Sequence, residues 1–433
     1  MTDSPSPTRR HLLAGAGGGL VALGAAPSLV APALAAPASA QGAGGDGTPQ
    51  SLKLPKLYTP SEREGTDPPL PSPPAERVGF AVVGLGRLTL EQILPALGSC
   101  KHAKLAALVS GSADKLRSAG ERYGVPQASL YDYAGFDRIR DNPDVRVVYI
   151  VLPNAMHREY TERAAKAGKH VLSEKPMATN VADAEAMVRA CADANVKLMV
   201  AYRMQYEPHL REAIRLARSG ELGRIKSFTS ENTQTEGDPG QWRLKRAPSG
   251  GGALPDIGIY CLNTARAVMG EEPVEVMAKI HSTPGDPRFA EVEEAVAFTL
   301  TFPSGAIANC FTSYDVHNSR RLRVGLSDGF IDMDPAYPYE GQRLRVGRKD
   351  PKNPKAEDDT ELRLEHKNQF ALEMDHMALC VKNDLRPHTP GEEGVQDQRL
   401  MEAIYASARD GKPVRLDPVP GRDPFRGPPP QEG

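Results

Sequence analysis

From Arg77 onward, short runs of β-branched and apolar residues alternate with segments of helical period: VGFAVVG, then TLEQILPAL, then KLAALVS, then ADKLRSAGERYG. The rhythm continues through VRVVYIVLP, HREYTERAAKAG, KHVLSEKP, VADAEAMVRACADAN and KLMVAY. A strand that is apolar along its whole length has to be covered on both faces, and parallel neighbours need a crossover that a helix supplies. The alternation therefore admits few architectures. It predicts an α/β fold whose N-terminal domain, residues 77–200, is a doubly wound (Rossmann) parallel sheet.

Beyond residue 200 the rhythm changes. Helical segments around His209–Ser219 and Asp256–Met269 flank strand-like runs such as IKSFTSENT and VEVMAKIHS. AVAFTLTF, AIANCFTSYD, RLRVGLS and GFIDMD follow at short intervals, the pattern of an antiparallel sheet. Helices near Asn368–Val381 and Val395–Ala408 complete an expected α+β domain over 201–417, with a large, mainly antiparallel sheet. Residues 418–433, PVPGRDPFRGPPPQEG from Pro418, show no core-forming pattern and are read as a tail.

The 433 residues suffice for two domains with separate cores. A formal net charge of −2 offers no broad positive field, which sets aside nucleic acid and anionic membrane as partners. The five cysteines, Cys100, Cys191, Cys261, Cys310 and Cys380, are far apart and form no CxxC pair. They read as buried thiols, and neither they nor the ten histidines show metal-ligand spacing, so no metal is expected.

The first 40 residues read as a twin-arginine signal peptide. Arg9-Arg10 precede an apolar run from Leu12 to Ala35 that contains five glycines and two prolines, too weak for a stable membrane span. Ala33-Leu34-Ala35 and Ala38-Ser39-Ala40 both fit an A-x-A cleavage site. This route exports proteins already folded, so the expected location is periplasmic or otherwise exported, with no membrane contact after cleavage. Residues 41–76 hold eight prolines and should be extended, either a linker or an arm that packs across a partner subunit.

Four short motifs carry chemistry. Gly84-Leu85-Gly86-Arg87-Leu88 follows the first strand and opens the first helix, where a tight turn and a bare backbone can approach a pyrophosphate. Thr89 stands where the third glycine of that fingerprint usually is. The second strand ends at Ser110, followed by Gly111, Ser112 and Lys115, with no carboxylate to bind a ribose 2′-hydroxyl. A cation there suits a 2′-phosphate, which favours NADP over NAD. Ser173-Glu174-Lys175-Pro176 places Lys175 at the carboxyl edge of the sheet. In GGGALPDIGIY, Asp256 and Tyr260 fall one turn apart if helix starts near Pro255. A phenol is a poor base at neutral pH, and an ammonium beside it stabilises the phenolate. By composition alone a packed aromatic is the commoner reading of Tyr260, and a solvated surface lysine that of Lys175.

GLGRLTLEQILPAL, ALVSGSADK, SEKPMATN and GGALPDIGIY together resemble the glucose–fructose oxidoreductase and inositol dehydrogenase family, as do YDY, LPN, QWRLKR, EEPVEV and TPGEEGVQD. The resemblance runs from about Arg77 to Lys412, with Thr89 the main departure from the pattern. It implies that Lys175, Asp256 and Tyr260 line an active site, with Tyr260 as the proton-transfer group. It also implies NADP contacts from the glycine turn (Gly84, Leu85, Gly86, Arg87, Leu88), from Ser110, Lys115 and Tyr133, and from Leu152, Pro153, Asn154 and His157. Glu174, Lys175, Arg203, Trp242 and Arg243 complete that set.

The reaction that follows from the resemblance is oxidation of a cyclic aldose at C1 to a lactone, with a second sugar, a ketose such as fructose, reduced to an alditol. The partners expected are small sugars and further copies of this chain, as a dimer or tetramer. A second sugar that reoxidises a tightly bound cofactor would remove the need for a soluble NADP pool outside the cytoplasm. Three other functions stay open: a simple sugar or polyol dehydrogenase, an NAD-assisted glycosidase of the same superfamily, and a non-catalytic periplasmic sugar binder, against which Lys175, Asp256 and Tyr260 argue because binding alone needs no base.

Overall fold

A computed structural model describes residues 76–430 apart from 351, 354 and 355. The expected signal peptide, and the proline-rich arm but for its last residue, lie outside the described residues.

Six strands form the first sheet: β1 (Val78–Val83), β2 (Ala103–Val109), β3 (Leu130–Tyr131), β4 (Val147–Ile150), β5 (His170–Glu174) and β6 (Leu198–Ala201). Their order is β3-β2-β1-β4-β5-β6 and every pairing is parallel. All residues of β1, β4 and β6 are buried, as strands covered on both faces must be. The strand order reverses between β1 and β4, so their carboxyl ends open the crevice where such sheets take ligands.

The first helical stretch is irregular: a π-helical turn at Thr89–Ile93 runs into α1 (Leu94–Leu97). Then come α2 (Ala113–Tyr123), α3 (His157–Lys166) and α4 (Val181–Asp193). Thr89 is fully buried, and its hydroxyl donates to the Gly84 carbonyl at 2.6 Å. The departure from the glycine pattern thus ties the helix start back to the turn.

The C-terminal region supplies α5 (Pro208–Ser219), α6 (Arg246–Ser249), α7 (Ile259–Met269), α8 (Gln369–Lys382) and α9 (Gly391–Asp410). Its strands are β7 (Ile225–Thr233), β8 (Glu275–His281), β9 (Ala295–Thr301), β10 (Ile307–Ser313), β11 (Arg320–Leu326), β12 (Gly329–Met333), β13 (Leu344–Lys349), β14 (Glu357–Leu362) and β15 (Val414–Arg415). They make one nine-stranded sheet, ordered β14-β13-β12-β11-β7-β10-β9-β8-β15. It is antiparallel except at its centre, where β10 lies parallel to β7. The chain leaves β7, makes α6 and α7 and the β8–β9 pair, and returns to the sheet in the same direction.

Two features cross the boundary expected at residue 200. Helix α8 packs Phe370, Met374, Met377, Ala378 and Val381 into the core of the first sheet, against Phe80, Leu108 and Tyr149. Its Asp375 carboxylate accepts the backbone N–H groups of Lys101, His102 and Ala103 at 2.7, 2.7 and 2.9 Å. The tail, apolar-poor as expected, docks by charge. Arg426 donates to Glu393 at 2.6 Å, and Asp423 pairs with Arg218 at 2.7 Å. Glu393 belongs to a fully buried cluster in which Arg266 of α7 also meets Glu272 and Asp397. All five cysteines are buried and unbridged.

Candidate active site

The glycine turn is shaped by contact with the neighbouring strand. Gly84 has φ +96°, and a Cβ there would meet the Val151 carbonyl oxygen at 2.2 Å. Only glycine fits both the conformation and the approach. A Cβ at Gly86 would meet no protein atom within 4 Å, so the space over this residue is open to a ligand. Lys115 reaches back across α2 and donates to the Leu85 carbonyl at 3.0 Å. It therefore lies between the glycine turn and Ser110, whose hydroxyl accepts the Ser112 N–H at 3.2 Å. Tyr133 packs at Gly111 beside them, its ring 3.1 Å from the Cβ position. A serine pair, a lysine and no carboxylate at the end of β2 fit a phosphorylated ribose and not a bare diol.

Farther along the crevice the chemistry-bearing side chains converge. The motif GGGALPDIGIY folds as a π-helical turn, Leu254–Gly258, leading into α7. Helix begins before Pro255 because Glu293 stops the chain there. The Glu293 carboxylate accepts the Leu254 N–H at 3.0 Å, and its carbonyl sits where a Gly252 Cβ would be. Within the otherwise buried run Gly251–Ile259, Asp256 alone is partly exposed, and Tyr260 is the next residue that is. The turn thus presents those two side chains together, as their spacing predicts.

Lys175, just past β5, joins them. Its ammonium donates to the Asp256 carbonyl at 2.6 Å and to Asp256 Oδ1 at 3.3 Å, and it lies 4.8 Å from the Tyr260 ring centroid. Asp256 Oδ2 takes the Tyr314 hydroxyl at 2.8 Å and the Arg243 guanidinium at 3.2 Å. Burial would raise the Asp256 carboxyl, but Arg243, Lys175 and Tyr314 overcome it and hold the group at about 2. Burial would likewise lower Lys175, and Tyr260, Asp256 and Glu174 reverse that, leaving its pKa raised. Both groups are charged across the neutral range.

The structure relocates some expected cofactor contacts. Arg203 donates through Nε to the Tyr260 hydroxyl at 3.1 Å, and its guanidinium stands 4.7 Å from the Tyr260 ring and 4.8 Å from that of Tyr339. Gln369 Oε1 and the Tyr337 carbonyl anchor it at 2.5 and 2.7 Å. It is a partner of the tyrosine. His157 is fully buried with its ring nitrogens 3.0 and 2.9 Å from the Pro176 and Leu152 carbonyls, so it braces two crevice loops and has no edge left for a ligand. The Glu174 carboxylate points inward to Tyr149, which leaves only its backbone for the crevice. Asn154 donates to the Ser249 carbonyl at 2.8 Å and links Leu152-Pro153-Asn154 to the glycine run before Asp256. Leu85 and Leu88 pack inward, Arg87 pairs with Glu91 at the surface, and Trp242 carries Arg243 4.7 Å over its ring. Tyr314, Tyr339 and Gln369 escape sequence reading because each lies more than 50 residues beyond Tyr260, outside any motif.

Residues 78–202 match the model of the oxidoreductase family with an NAD-binding Rossmann fold, and residues 210–332 match the GFO/IDH/MocA C-terminal domain. A D-xylose 1-dehydrogenase [NADP(+)] of Haloarcula marismortui is 34% identical over 347 residues, which span 78% of this chain and 93% of that one. The chain belongs to the GFO/IDH/MocA oxidoreductase family. Within it, a second D-xylose 1-dehydrogenase (NADP(+)), from Haloferax volcanii, is 28% identical over 78% of this chain and 99% of its own. Among solved structures, aldose-aldose oxidoreductase from Caulobacter crescentus complexed with glycerol is 47% identical, with a TM-score of 0.75. That match covers 78% of this chain and all of the other.

Proposed function

We propose that this family member is an NADP-dependent sugar oxidoreductase that oxidises a cyclic aldose at C1 to the lactone and reduces a second sugar to an alditol. The observation that carries the reading is the grouping of Lys175, Asp256, Tyr260 and Arg203 at the carboxyl edge of the sheet, in one crevice with a phosphate-ready glycine turn. The names of relatives at 47% and 34% identity support the sugar and the cofactor.

NADP, held at the glycine turn, would supply hydride transfer to and from sugar carbons. The rest is the work of the chain. Tyr260 takes the anomeric hydroxyl proton and gives it to the carbonyl oxygen of the second sugar, with the Arg203 Nε–H donating to its hydroxyl oxygen and the Lys175 ammonium beside its ring. Asp256, ionised throughout, fixes Lys175 and Arg243 and has oxygen lone pairs left for sugar hydroxyls. Ser110 and Lys115 would hold the 2′-phosphate. By the same proposal the paired arginines direct export of the folded, cofactor-loaded chain, the mature protein is a homo-oligomer, and arm 41–76 packs across a partner subunit beside the nucleotide.

A simple dehydrogenase is the second reading, favoured by the name of the 34% identical relative. One experiment separates them. The native mature protein is purified, bound nucleotide is extracted, and aldose–ketose and aldose–aldose pairs are incubated with no added NADP. Stoichiometric NADP(H) and turnover of a sugar pair support the two-sugar reaction. Turnover that begins only when free NADP is added makes the protein a dehydrogenase.

A further inference from the structure

Next to Lys175, three side chains from three elements meet in the interior: Tyr149 of β4, Glu174 at the end of β5 and Glu373 of α8. Tyr149 and Glu373 are fully buried and Glu174 is 7% exposed. The Tyr149 hydroxyl lies 2.8 Å from Glu174 Oε1 and 3.4 Å from Glu373 Oε1. A phenol has one proton to give, so it cannot serve two carboxylates at once.

The two acids are not equally supplied. Glu174 Oε2 accepts the Lys175 backbone N–H at 3.2 Å, and the Lys175 and Arg203 charges favour its anion. Glu373 Oε2 is buried and has no hydrogen-bond partner. An ionised carboxylate without donors costs far more in the interior than a neutral acid. Two buried carboxyls on either side of one hydroxyl relieve their repulsion when one of them keeps a proton.

We propose that Glu174 and Glu373, bridged by the Tyr149 hydroxyl, hold a single proton between the two across the neutral range, and that Glu373 is a positioning residue whose neutrality keeps a second buried anion away from Arg203, the donor to Tyr260. Burial pushes both carboxyls up, and Glu174 pushes Glu373 further. The groups facing the pair are Tyr149 from β4, Lys175 beyond β5, Arg203 and Tyr206 from the turn after β6, and Tyr339 from the segment after β12. Loss of the proton would put a second buried anion beside Arg203 and weaken the cationic setting that Arg203 and Lys175 give Tyr260. A single charge at this range changes an equilibrium on the order of tenfold.

The role assigned to Glu373 rests on the oxidoreductase reading, but the shared proton can be seen without turnover. The infrared C=O stretch of a buried protonated carboxyl should be present in the purified protein at pH 7, disappear in Glu373→Gln, and shift in Tyr149→Phe, which removes the bridging hydroxyl. In steady state, the ratio of kcat at alkaline pH to kcat at neutral pH should rise on the order of tenfold in Glu373→Gln relative to wild type. Absence of the band at pH 7, or a band unchanged in both variants, overturns the shared proton. A band that behaves as expected beside an unaltered pH profile overturns the positioning role. A protein that shows the band and turns over no sugar refutes the proposed reaction while leaving the shared proton in place.

Discussion

Asp256 is the anion on which the site's geometry turns, and Asp256→Asn removes its charge while keeping its shape. The substitution leaves Lys175, 12% exposed, and Arg243, 32% exposed, without the carboxylate they share. The cost can be worked from the carboxyl itself. Burial acts to raise it, yet Arg243, Lys175 and Tyr314 bring it from an ordinary 3.8 to about 2. That interval corresponds to about 2.5 kcal/mol of interaction with the charged form. Because the folded value lies below the unfolded one, this stability is fully present above the unfolded value and is lost as pH falls through the folded one. Chemical unfolding at pH 7 should therefore find Asp256→Asn less stable by about 2.5 kcal/mol, and the gap should close as wild type itself is protonated toward pH 2. Turnover should fall at least tenfold, since Lys175 and Arg243 lose their fixed partner. A variant as stable as wild type at pH 7, or a gap that is the same at pH 7 and pH 3, would refute the reasoning.

Tyr260→Phe should keep the fold and bound nucleotide but lower kcat roughly a hundredfold, measured on the native protein with its best sugar pair. Lys115→Ala, and more strongly Ser110→Asp, should weaken NADP relative to NAD, read as dissociation constants for both nucleotides in stripped protein. Arg426→Met strands part of the Glu393 charge and should cost about 3 kcal/mol in chemical unfolding, although it lies in the apolar-poor tail. Deleting residues 41–72 should loosen the oligomer and speed nucleotide loss, followed by light scattering and by the NADP retained after dialysis.

The first sheet was legible because its strands must be apolar on both faces, and VGFAVV, VVYI and LMVA show that without interruption. Strands β13 and β14 were not. LRVGRK alternates only over Leu344-Arg345-Val346 before two more cations, too short a period to mark a strand, and EDDTEL is almost wholly exposed. The parallel β7–β10 pair was equally hidden, since a period of two marks a strand and says nothing about its neighbour's direction. In the candidate site, the spacing of Asp256 and Tyr260 forecast their shared orientation, and the proline after Lys175 forecast its place at the sheet edge. Arg203 could be named but not placed: its position follows from Gln369 and the Tyr337 carbonyl, which only the tertiary fold brings near. His157 and Glu174 sit beside crevice loops in sequence and turn inward in space, a difference that no local pattern encodes.

The five buried cysteines set a property of another kind. Burial drives the Cys191 and Cys261 thiols up to about 12 and Cys380 to about 11, and pushes Cys100 and Cys310 well above the ordinary thiol range. Only a thiolate attacks a disulfide or a peroxide, so these sulfurs are close to inert at neutral pH. No bridge has to be made for the described fold to stand, and none can readily be made by mistake once it has formed. Such a fold is redox-blind. It can be completed in a reducing compartment and work in an oxidising one without any thiol chemistry along the way.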